Sequence, residues 1–298
     1  MTLLDELQST VSGLAERSGP AIVAIGRHQR GSGVVIADGQ VLTNAHNLRG
    51  EQVTVTFADG RRERGTVKAY DGDGDVAVIA VDTTGAAPLE WGPGDGLEVG
   101  SPVFGAAAAN GSGTRITFGL VSAVARAFRG PGGRRIAGSV EHTAPLAPGS
   151  SGGALLDTEG RFVGLNTNRI GEGFYLALPA DAALRERVDA LARGEGPARR
   201  RLGVAVAPSH VARRLRRSVG LPERDGLLVR EVEPNSLAAT AGIEPGDLIV
   251  GAAGRDIADA DDLFDALAAA TPPFEVRIVR GSEDRTVSVG GGEATGEA

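Results

Sequence analysis

Residues 147–157 read APGSSGGALLD and place two adjacent serines, Ser150 and Ser151, among small turn-forming residues just before an apolar run. Glycine and serine are common in loops, so a flexible loop is one explanation of this stretch. The other is a nucleophilic serine held on a tight turn. A serine hydroxyl reacts only when a neighbouring base takes its proton, so this explanation requires a histidine and a group that orients it.

The composition limits the class of protein. The 298 residues are 41% hydrophobic and 23% charged, as expected of a globular chain long enough for two domains. With 45 glycines and only 4% aromatic residues, the chain favours short strands joined by tight turns. A net charge of −7 argues against nucleic acid as a main partner. The arginine clusters at 198–201 and 213–217 therefore fit a solvated linker and helix face better than a nucleic-acid patch.

Three absences bear on chemistry and location. The sequence has no cysteine, which excludes disulfides, thiol catalysis and cysteine-ligated metal. No apolar run approaches the roughly 18 to 20 residues that span a bilayer. The start of the chain, residues 1–19, lacks the basic segment and apolar core of a signal peptide. We therefore expect a cytoplasmic protein without membrane insertion.

The patterns along the chain predict two domains. Residues 1–20 predict an amphipathic helix with a capping box of Thr2 and Asp5. Residues 21–192 alternate β-branched runs with glycine, aspartate and asparagine turns, which predicts an all-β barrel or sandwich closed by a helix. The stretch 193–200 is the predicted linker, 201–290 a second, smaller α+β domain, and 291–298 a disordered tail.

The base and its orienting group come from the first domain. His46, in VLTNAHNL, follows a strand at the start of a loop, where catalytic side chains are often placed. Asp75, in DGDGDVAVIAV, stands where a turn enters a buried strand, whereas Asp71 and Asp73 are assigned to the turn itself. A calcium loop is the rival explanation of DGDGD, but the EF-hand spacing and terminal glutamate are missing. We therefore predict no metal site.

Residues 149–153 also fit G-x-S-x-G, the nucleophile elbow of α/β-hydrolases. The chain order separates the two folds. In elbow enzymes the serine comes first, whereas here His46 and Asp75 precede Ser151, which is the order in chymotrypsin-like barrels. The predicted strands also lack the alternating helices of an α/β-hydrolase.

Three motifs, TNAH at 43–46, DVAV at 75–78 and GSSGG at 149–153, resemble those of the trypsin-like protease domain of the HtrA (Deg) family. The resemblance implies a mainly β fold, with a chymotrypsin-like double β-barrel before the second domain. It also implies that Ser151 is the nucleophile, that His46 is the general base and that Asp75 fixes the histidine tautomer. The backbone N–H groups of Gly149 and Ser151 would then form the oxyanion hole.

The chain departs from the family at two positions near this site. Ser150 replaces the usual asparagine before the nucleophile, with little expected effect because the oxyanion hole uses backbone groups. The substrate pocket is assigned to Asn166, Thr167 and Arg169. Family members tend to be apolar or small at the position of Arg169. We therefore expect an altered preference for the residue before the scissile bond if this arginine points inward.

The second domain resembles the PDZ domain of the same family. The stretch SLAATAGIEPGDLI, residues 236–249, carries the resemblance. PDZ domains bind extended C-termini by adding a strand to a sheet edge and holding the carboxylate with backbone N–H groups. The resemblance assigns the carboxylate loop to Leu202, Gly203 and Val204, after Arg201. It assigns the other wall of the groove to a helix carrying Leu263 and Leu267, although the same residues also suit a core.

The resemblance implies a serine endopeptidase that cleaves unfolded or exposed polypeptide segments and needs no cofactor. Its PDZ domain would bind C-terminal peptides. The family also forms homotrimers through N-terminal aromatic residues. The N-terminal segment here has no aromatic residue and offers only leucine, valine and alanine for such an interface, so trimerisation stays open. The alternative is a latent protease that acts mainly as a PDZ peptide-binding scaffold or chaperone.

Overall fold

The computed structural model describes residues 2–27, 29–109, 113–130, 135–170, 172–196 and 202–290, apart from the side chains at 3, 168–170 and 268. The chain divides into two compact units, Met1–Pro197 and Ala198–Ala298. The predicted tail and the end of the predicted linker lie outside the described residues. Among the described residues, no helix combines the length and the apolar character needed to span a bilayer.

A helix, α1 (Leu3–Ser18), opens the first unit. The capping box at its start is formed as the sequence predicts. The Asp5 N–H donates to the Thr2 hydroxyl at 3.3 Å, and the Asp5 carboxylate accepts from the Thr2 N–H at 2.8 Å. Leu14 is fully buried in the core of this unit, so the apolar stripe of α1 packs onto the barrels.

The first closed barrel has the strand order β1-β2-β3-β6-β5-β4. Its strands are β1 (Ile22–Ile25), β2 (Gly31–Ala37), β3 (Gln40–Thr43), β4 (Gln52–Thr56), β5 (Arg62–Asp71) and β6 (Val76–Ala80). β6 is almost continuously buried, whereas β5 alternates inward and solvent-facing side chains. β3 and β6 are neighbours, with Thr43 opposite Ala77. This pairing brings the end of β3 next to the start of β6.

The second closed barrel has the order β10-β11-β12-β9-β8-β7. Its strands are β7 (Pro102–Ala108), β8 (Thr114–Arg129), β9 (Arg135–His142), β10 (Ala154–Leu156), β11 (Phe162–Ile170) and β12 (Phe174–Pro179). Helix α2 (Ala182–Ala192) follows, capped by the Asp181 carboxylate, which accepts from the Leu184 N–H at 2.8 Å. One apolar cluster combines residues of both barrels, including Ile22 and Phe162.

The second unit is an α+β domain with its own core. Its strands run in the order β13-β14-β15-β17-β18, with the short β16 paired to β15. Its elements are β13 (Val204–Ala207), α3 (Ser209–Ser218), β14 (Leu227–Val232), α4 (Leu237–Thr240), β15 (Leu248–Ala252), β16 (Arg255–Asp256), α5 (Ala260–Ala269), β17 (Phe274–Arg280) and β18 (Glu283–Val289). The predicted fold class, a mainly β chain with a double barrel before an α+β domain, is confirmed.

The arginine cluster at 213–217 lies on α3, and two of its four arginines have acidic partners. Arg213 pairs with Asp225, and Arg217 pairs with Glu223 at 2.7 Å. Arg216 is only 4% exposed, and its guanidinium donates to the carbonyl oxygen of Pro222 at 2.9 Å. These contacts hold α3 against its neighbours, which favours the structural explanation of the cluster.

Candidate active site

His46 and Asp75 approach each other because β3 and β6 are paired. His46 lies in a 3-10 turn, Ala45–Asn47, directly after β3. Asp75 lies directly before β6, with φ of 56°, a left-handed conformation that aspartate tolerates better than most residues. The Asn44 side chain donates to the Asp75 carbonyl oxygen at 2.9 Å and holds the two segments together.

The Asp75 carboxylate is 1% exposed and receives three donors. His46 Nδ1 is 2.8 Å from Oδ2, and the His46 backbone N–H donates to Oδ1 at 3.0 Å. The Thr167 hydroxyl donates to Oδ2 at 2.9 Å. A carboxylate held in this way keeps the proton of a neutral His46 on Nδ1 and leaves Nε2 free to accept a proton.

The turn that carries Ser151 is fixed by glycines in left-handed conformations. Gly149 has φ of 85° and Gly152 has φ of 86°. A Cβ on Gly152 would lie 2.2 Å from the Ser32 carbonyl oxygen, so only glycine fits there. The Ser151 carbonyl oxygen accepts from the Ser32 N–H at 2.8 Å and from Asn47 Nδ2 at 2.9 Å. These bonds tie the serine turn to the first barrel.

Two backbone N–H groups on the same turn have no partner in the part of the chain that the structure describes. The Ser150 N–H donates to the Ala147 carbonyl oxygen at 3.1 Å, and the Gly152 N–H donates to the Asn166 backbone carbonyl oxygen at 2.7 Å. Among the described residues, no acceptor is bonded to the N–H of Gly149 or Ser151. This pair of free donors is what an oxyanion hole requires.

The Ser151 hydroxyl donates to the Thr167 carbonyl oxygen at 2.8 Å. The described hydrogen bonds include none from Ser151 to His46. Catalytic hydrogen bonds are often long or absent before substrate binds and form only in the complex. A nucleophilic role for Ser151 would require its hydroxyl to turn from Thr167 towards His46.

The residues assigned to a substrate pocket occupy different environments. Asn166 is fully buried, with its amide donating to the Ala154 carbonyl oxygen at 2.7 Å. Thr167 is 6% exposed and contacts Asp75 and Ser151 as described above. The side chain of Arg169 lies outside the described residues, so its effect on specificity stays a prediction.

A buried histidine lies beside these residues. His142 is fully buried on β9, with Nε2 3.1 Å from Asn166 Oδ1 and its ring stacked on Tyr175. Burial lowers the pKa of His142 to about 4, although the Asn166 contact acts in the opposite direction. His142 is therefore neutral at pH 7, and its contact with Asn166 Oδ1 helps to fix the Asn166 side chain.

Asp71 serves the turn to which the sequence assigned it. Its Oδ1 accepts the N–H groups of Asp73 at 3.0 Å and Gly74 at 2.9 Å, and Oδ2 lies 3.5 Å from the Arg187 guanidinium. The described residues include no group of acidic and histidine side chains suited to a metal ion. The carboxylate of Asp71 thus orders the segment that delivers Asp75.

Known families match both units. The trypsin-like peptidase domain matches residues 31–165, and the PDZ domain matches residues 228–280. A probable periplasmic serine endoprotease, DegP-like, from Halomonas elongata is 30% identical over 88% of this chain and 56% of its own length. The putative serine protease HhoB from Synechocystis sp. is 31% identical over 87% of this chain and 65% of its own length. The chain belongs to the HtrA family.

Other HtrA proteins show the same similarity. The mitochondrial serine protease HTRA2 of Bos taurus is 30% identical over 94% of this chain and 66% of its own length. This chain thus spans 56%, 65% and 66% of these three relatives. The solved HtrA-type protease AlgW with decapeptide has the same fold, with a TM-score of 0.69 at 24% identity over 94% of this chain and 97% of that one.

In the PDZ unit of this HtrA chain, β13 lies at the edge of the sheet and pairs only with β14. Leu202 is 2% exposed, and Gly203 has φ of 79° with its carbonyl oxygen accepting the Glu233 N–H at 2.8 Å. No described residue accepts from the N–H of Leu202 or Gly203. Val204 begins β13, and Arg201 lies outside the described residues.

The two leucines assigned to the other wall lie on α5. Leu263 is 6% exposed and Leu267 is 4% exposed, and both belong to the core of the PDZ unit. They therefore stabilise the unit whether or not a peptide contacts their exposed edges. Their role in peptide binding stays a prediction.

Sequence reasoning missed several residues that position Asp75 and Ser151 through hydrogen bonds. Thr167 was assigned only to the substrate pocket, although its hydroxyl and carbonyl oxygen contact Asp75 and Ser151. Ser32 and Asn47 were not singled out, although both donate to the Ser151 carbonyl oxygen. The position of Asn47 directly after His46 was the one available signal.

Proposed function

We propose that this chain is a serine endopeptidase that cleaves unfolded or exposed polypeptide segments. The observation that carries the proposal is the combination of the His46–Asp75 pair with two free N–H groups on the Ser151 turn. Family membership supports the same chemistry. A scaffold that only binds peptides has no physical need for all three side chains.

The reaction begins when His46 Nε2 takes the proton of the Ser151 hydroxyl and Oγ attacks the scissile carbonyl carbon. The negative charge that develops on the carbonyl oxygen is stabilised by the N–H groups of Gly149 and Ser151. Asp75 stabilises the imidazolium that forms. His46 then donates its proton to the leaving amine, and an acyl group remains on Ser151. Water, deprotonated by His46, then attacks this ester; the bond to Ser151 Oγ breaks, His46 returns the proton to Oγ, and the acid product leaves.

Digestion of a denatured, unlabelled protein tests this activity. Wild type is expected to release internal peptides that mass spectrometry identifies, and Ser151→Ala and His46→Ala are expected to lose several orders of magnitude in rate. Asp75→Asn is expected to lose about 10⁴-fold while keeping the fold, because the asparagine favours the wrong histidine tautomer. Equal digestion by wild type and Ser151→Ala would contradict the proposal.

One observation supports a second candidate function, a latent protease that acts mainly as a PDZ scaffold. The Ser151 hydroxyl is bonded to Thr167 and not to His46, so the resting nucleophile is not yet activated. Binding of a C-terminal peptide along β13, with its carboxylate at the free N–H groups of Leu202 and Gly203, would be the activating event.

Peptides with free and amidated C-termini separate these functions. If the PDZ unit binds C-termini, a fluorescent peptide ending in an apolar residue binds, and its amidated twin binds much more weakly. If the protease is latent, the free peptide also raises the rate of digestion, whereas an active protease digests equally with and without it. Equal binding of the two peptides would contradict the assignment of the carboxylate loop.

A further inference from the structure

A groove of about 730 Å³ lies on the outside of the first barrel. The turn between β1 and β2, the turn after His46, and strands β4 and β5 line it. Five arginines line it, namely Arg27, Arg30, Arg49, Arg62 and Arg64. Each is exposed, so five guanidinium groups face the solvent around one concave surface.

The arginines of this groove, called the arginine groove below, have no acidic partners among the described residues. Within the part of the chain that the structure describes, none of the five arginines forms a salt bridge. The carboxylate among the lining residues, Glu63, pairs with the neighbouring Arg61 at 3.0 Å. Arg213 and Arg217 on α3, in contrast, have acidic partners in Asp225 and Glu223. A chain with a net charge of −7 thus concentrates unpaired positive charge here.

The register of the barrel gives the groove its shape. Arg64 lies opposite Thr54 across the β4–β5 pair, and Arg62 lies opposite Thr56. The Gly26 N–H donates to the Thr54 carbonyl oxygen at 2.8 Å, which brings the β1–β2 turn against the same strand. The arginines therefore form two walls above β4, one from the turn and one from β5.

One end of the groove adjoins the active site. Asn47, the residue after His46, lines the groove and also donates to the Ser151 carbonyl oxygen at 2.9 Å. The turn carrying Arg27 and Arg30 also approaches the serine turn, since the Gln29 carbonyl oxygen lies 3.2 Å from the point where a Cβ on Gly149 would sit. A chain bound in the groove can thus continue to the Ser151 hydroxyl.

We propose that the groove binds an acidic segment of the polypeptide substrate on the C-terminal side of the scissile bond. This inference rests on the proposed function. Guanidinium groups match carboxylates in geometry and charge. The segment lies C-terminal to the scissile bond because His46 protonates the leaving amine, which becomes the N-terminus of the C-terminal product. The groove begins at Asn47, the residue after His46. A polypeptide is favoured over a nucleic acid because the net charge of the chain repels a long polyanion.

A binding experiment tests the groove without requiring catalysis. Ser151→Ala is titrated with a short fluorescent peptide rich in glutamate and aspartate, and with its glutamine and asparagine twin. Both peptides are amidated, so that neither has the free C-terminus that a PDZ domain recognises. The acidic peptide is expected to bind more tightly, and added salt is expected to weaken it.

Changing Arg62 and Arg64 together to glutamine is expected to weaken the acidic peptide about tenfold. The matched control is Arg115→Gln, because Arg115 is also exposed but lies on β8 of the second barrel. It is expected to bind as the parent does. Equal affinity for the two peptides, or an equal effect of Arg115→Gln, overturns the proposal. Tighter binding of a short single-stranded oligonucleotide than of the acidic peptide overturns it in favour of nucleic acid.

The direction of the substrate is tested by sequencing the cleavage sites that wild type makes in a library of denatured-proteome peptides. Asp and Glu are expected to be enriched after the scissile bond, and Arg62→Gln/Arg64→Gln is expected to remove this enrichment. No enrichment, or enrichment before the bond, contradicts the proposal. Absence of any cleavage by wild type contradicts the proposed function instead, and the binding experiment then still reports on the groove.

Discussion

Gly152 offers a test of how tightly the nucleophile turn is packed. Replacing it by alanine adds a Cβ 2.2 Å from the Ser32 carbonyl oxygen and 2.5 Å from the Thr43 hydroxyl, at a residue with φ of 86°. The left-handed conformation alone costs about 1–2 kcal/mol for a residue with a side chain. Overpacking in a rigid site adds about 1–3 kcal/mol. We therefore expect Gly152→Ala to lose about 2–5 kcal/mol of unfolding free energy.

Gly85 supplies the matched control. It has φ of 83°, but a Cβ there would meet no atom within 4 Å, so Gly85→Ala carries only the conformational cost of about 1–2 kcal/mol. Urea unfolding followed by the fluorescence of Trp91 measures both variants, because this is the one tryptophan in the sequence and it packs on Phe162 in the first unit. Equal losses in the two variants would refute the packing argument.

Three further predictions concern other contacts. Thr167→Val removes the hydroxyl that donates to Asp75 and is expected to lower kcat/KM about 10- to 100-fold. Thr167→Ser keeps a hydroxyl and should keep kcat/KM near that of wild type. An unchanged pH–rate profile in Thr167→Val would argue against a role of Thr167 in positioning Asp75. Because burial lowers the pKa of His142 from 6.5 to about 4, the folded state binds fewer protons than the unfolded state in this range, so unfolding free energy should fall by about 3 kcal/mol from pH 6.5 to pH 4. His142→Gln should flatten that part of the pH dependence, and an identical profile for the variant would remove His142 as its cause. The Asp247 carboxylate is 1% exposed, and the Arg280 guanidinium donates to both its oxygens at 2.8 Å. Arg280→Met removes this partner and is expected to destabilise the PDZ unit by about 3 kcal/mol. Hydrogen exchange on β17 measures the loss, and unaltered protection would show that the pair contributes little to stability.

Much of this molecule follows from local patterns in the sequence. The capping box, the short strands and the turn glycines each depend on residues a few positions apart, so they can be recognised without a structure. The order of His46, Asp75 and Ser151 then distinguishes a double barrel from an α/β-hydrolase.

The supporting contacts could not be predicted because they join residues that are distant in sequence. The Thr167 hydroxyl meets a carboxylate 92 positions away, and Asn47 Nδ2 meets a carbonyl oxygen 104 positions away. The direction of the Ser151 hydroxyl is a rotamer choice that no spacing specifies. The arginine groove likewise assembles only through the register of β4 with β5, since its members are scattered from Arg27 to Arg64.

The most direct test of the central claim is the intact mass of the protein after exposure to a fluorophosphonate, followed by peptide mapping. A serine made nucleophilic by His46 and Asp75 is expected to gain one adduct, at Ser151, and Ser151→Ala is expected to gain none. An adduct that forms only with a C-terminal peptide present would identify the latent form of the same enzyme. No adduct with or without that peptide, or an adduct of equal yield in Ser151→Ala, would contradict the assignment of Ser151 as the nucleophile.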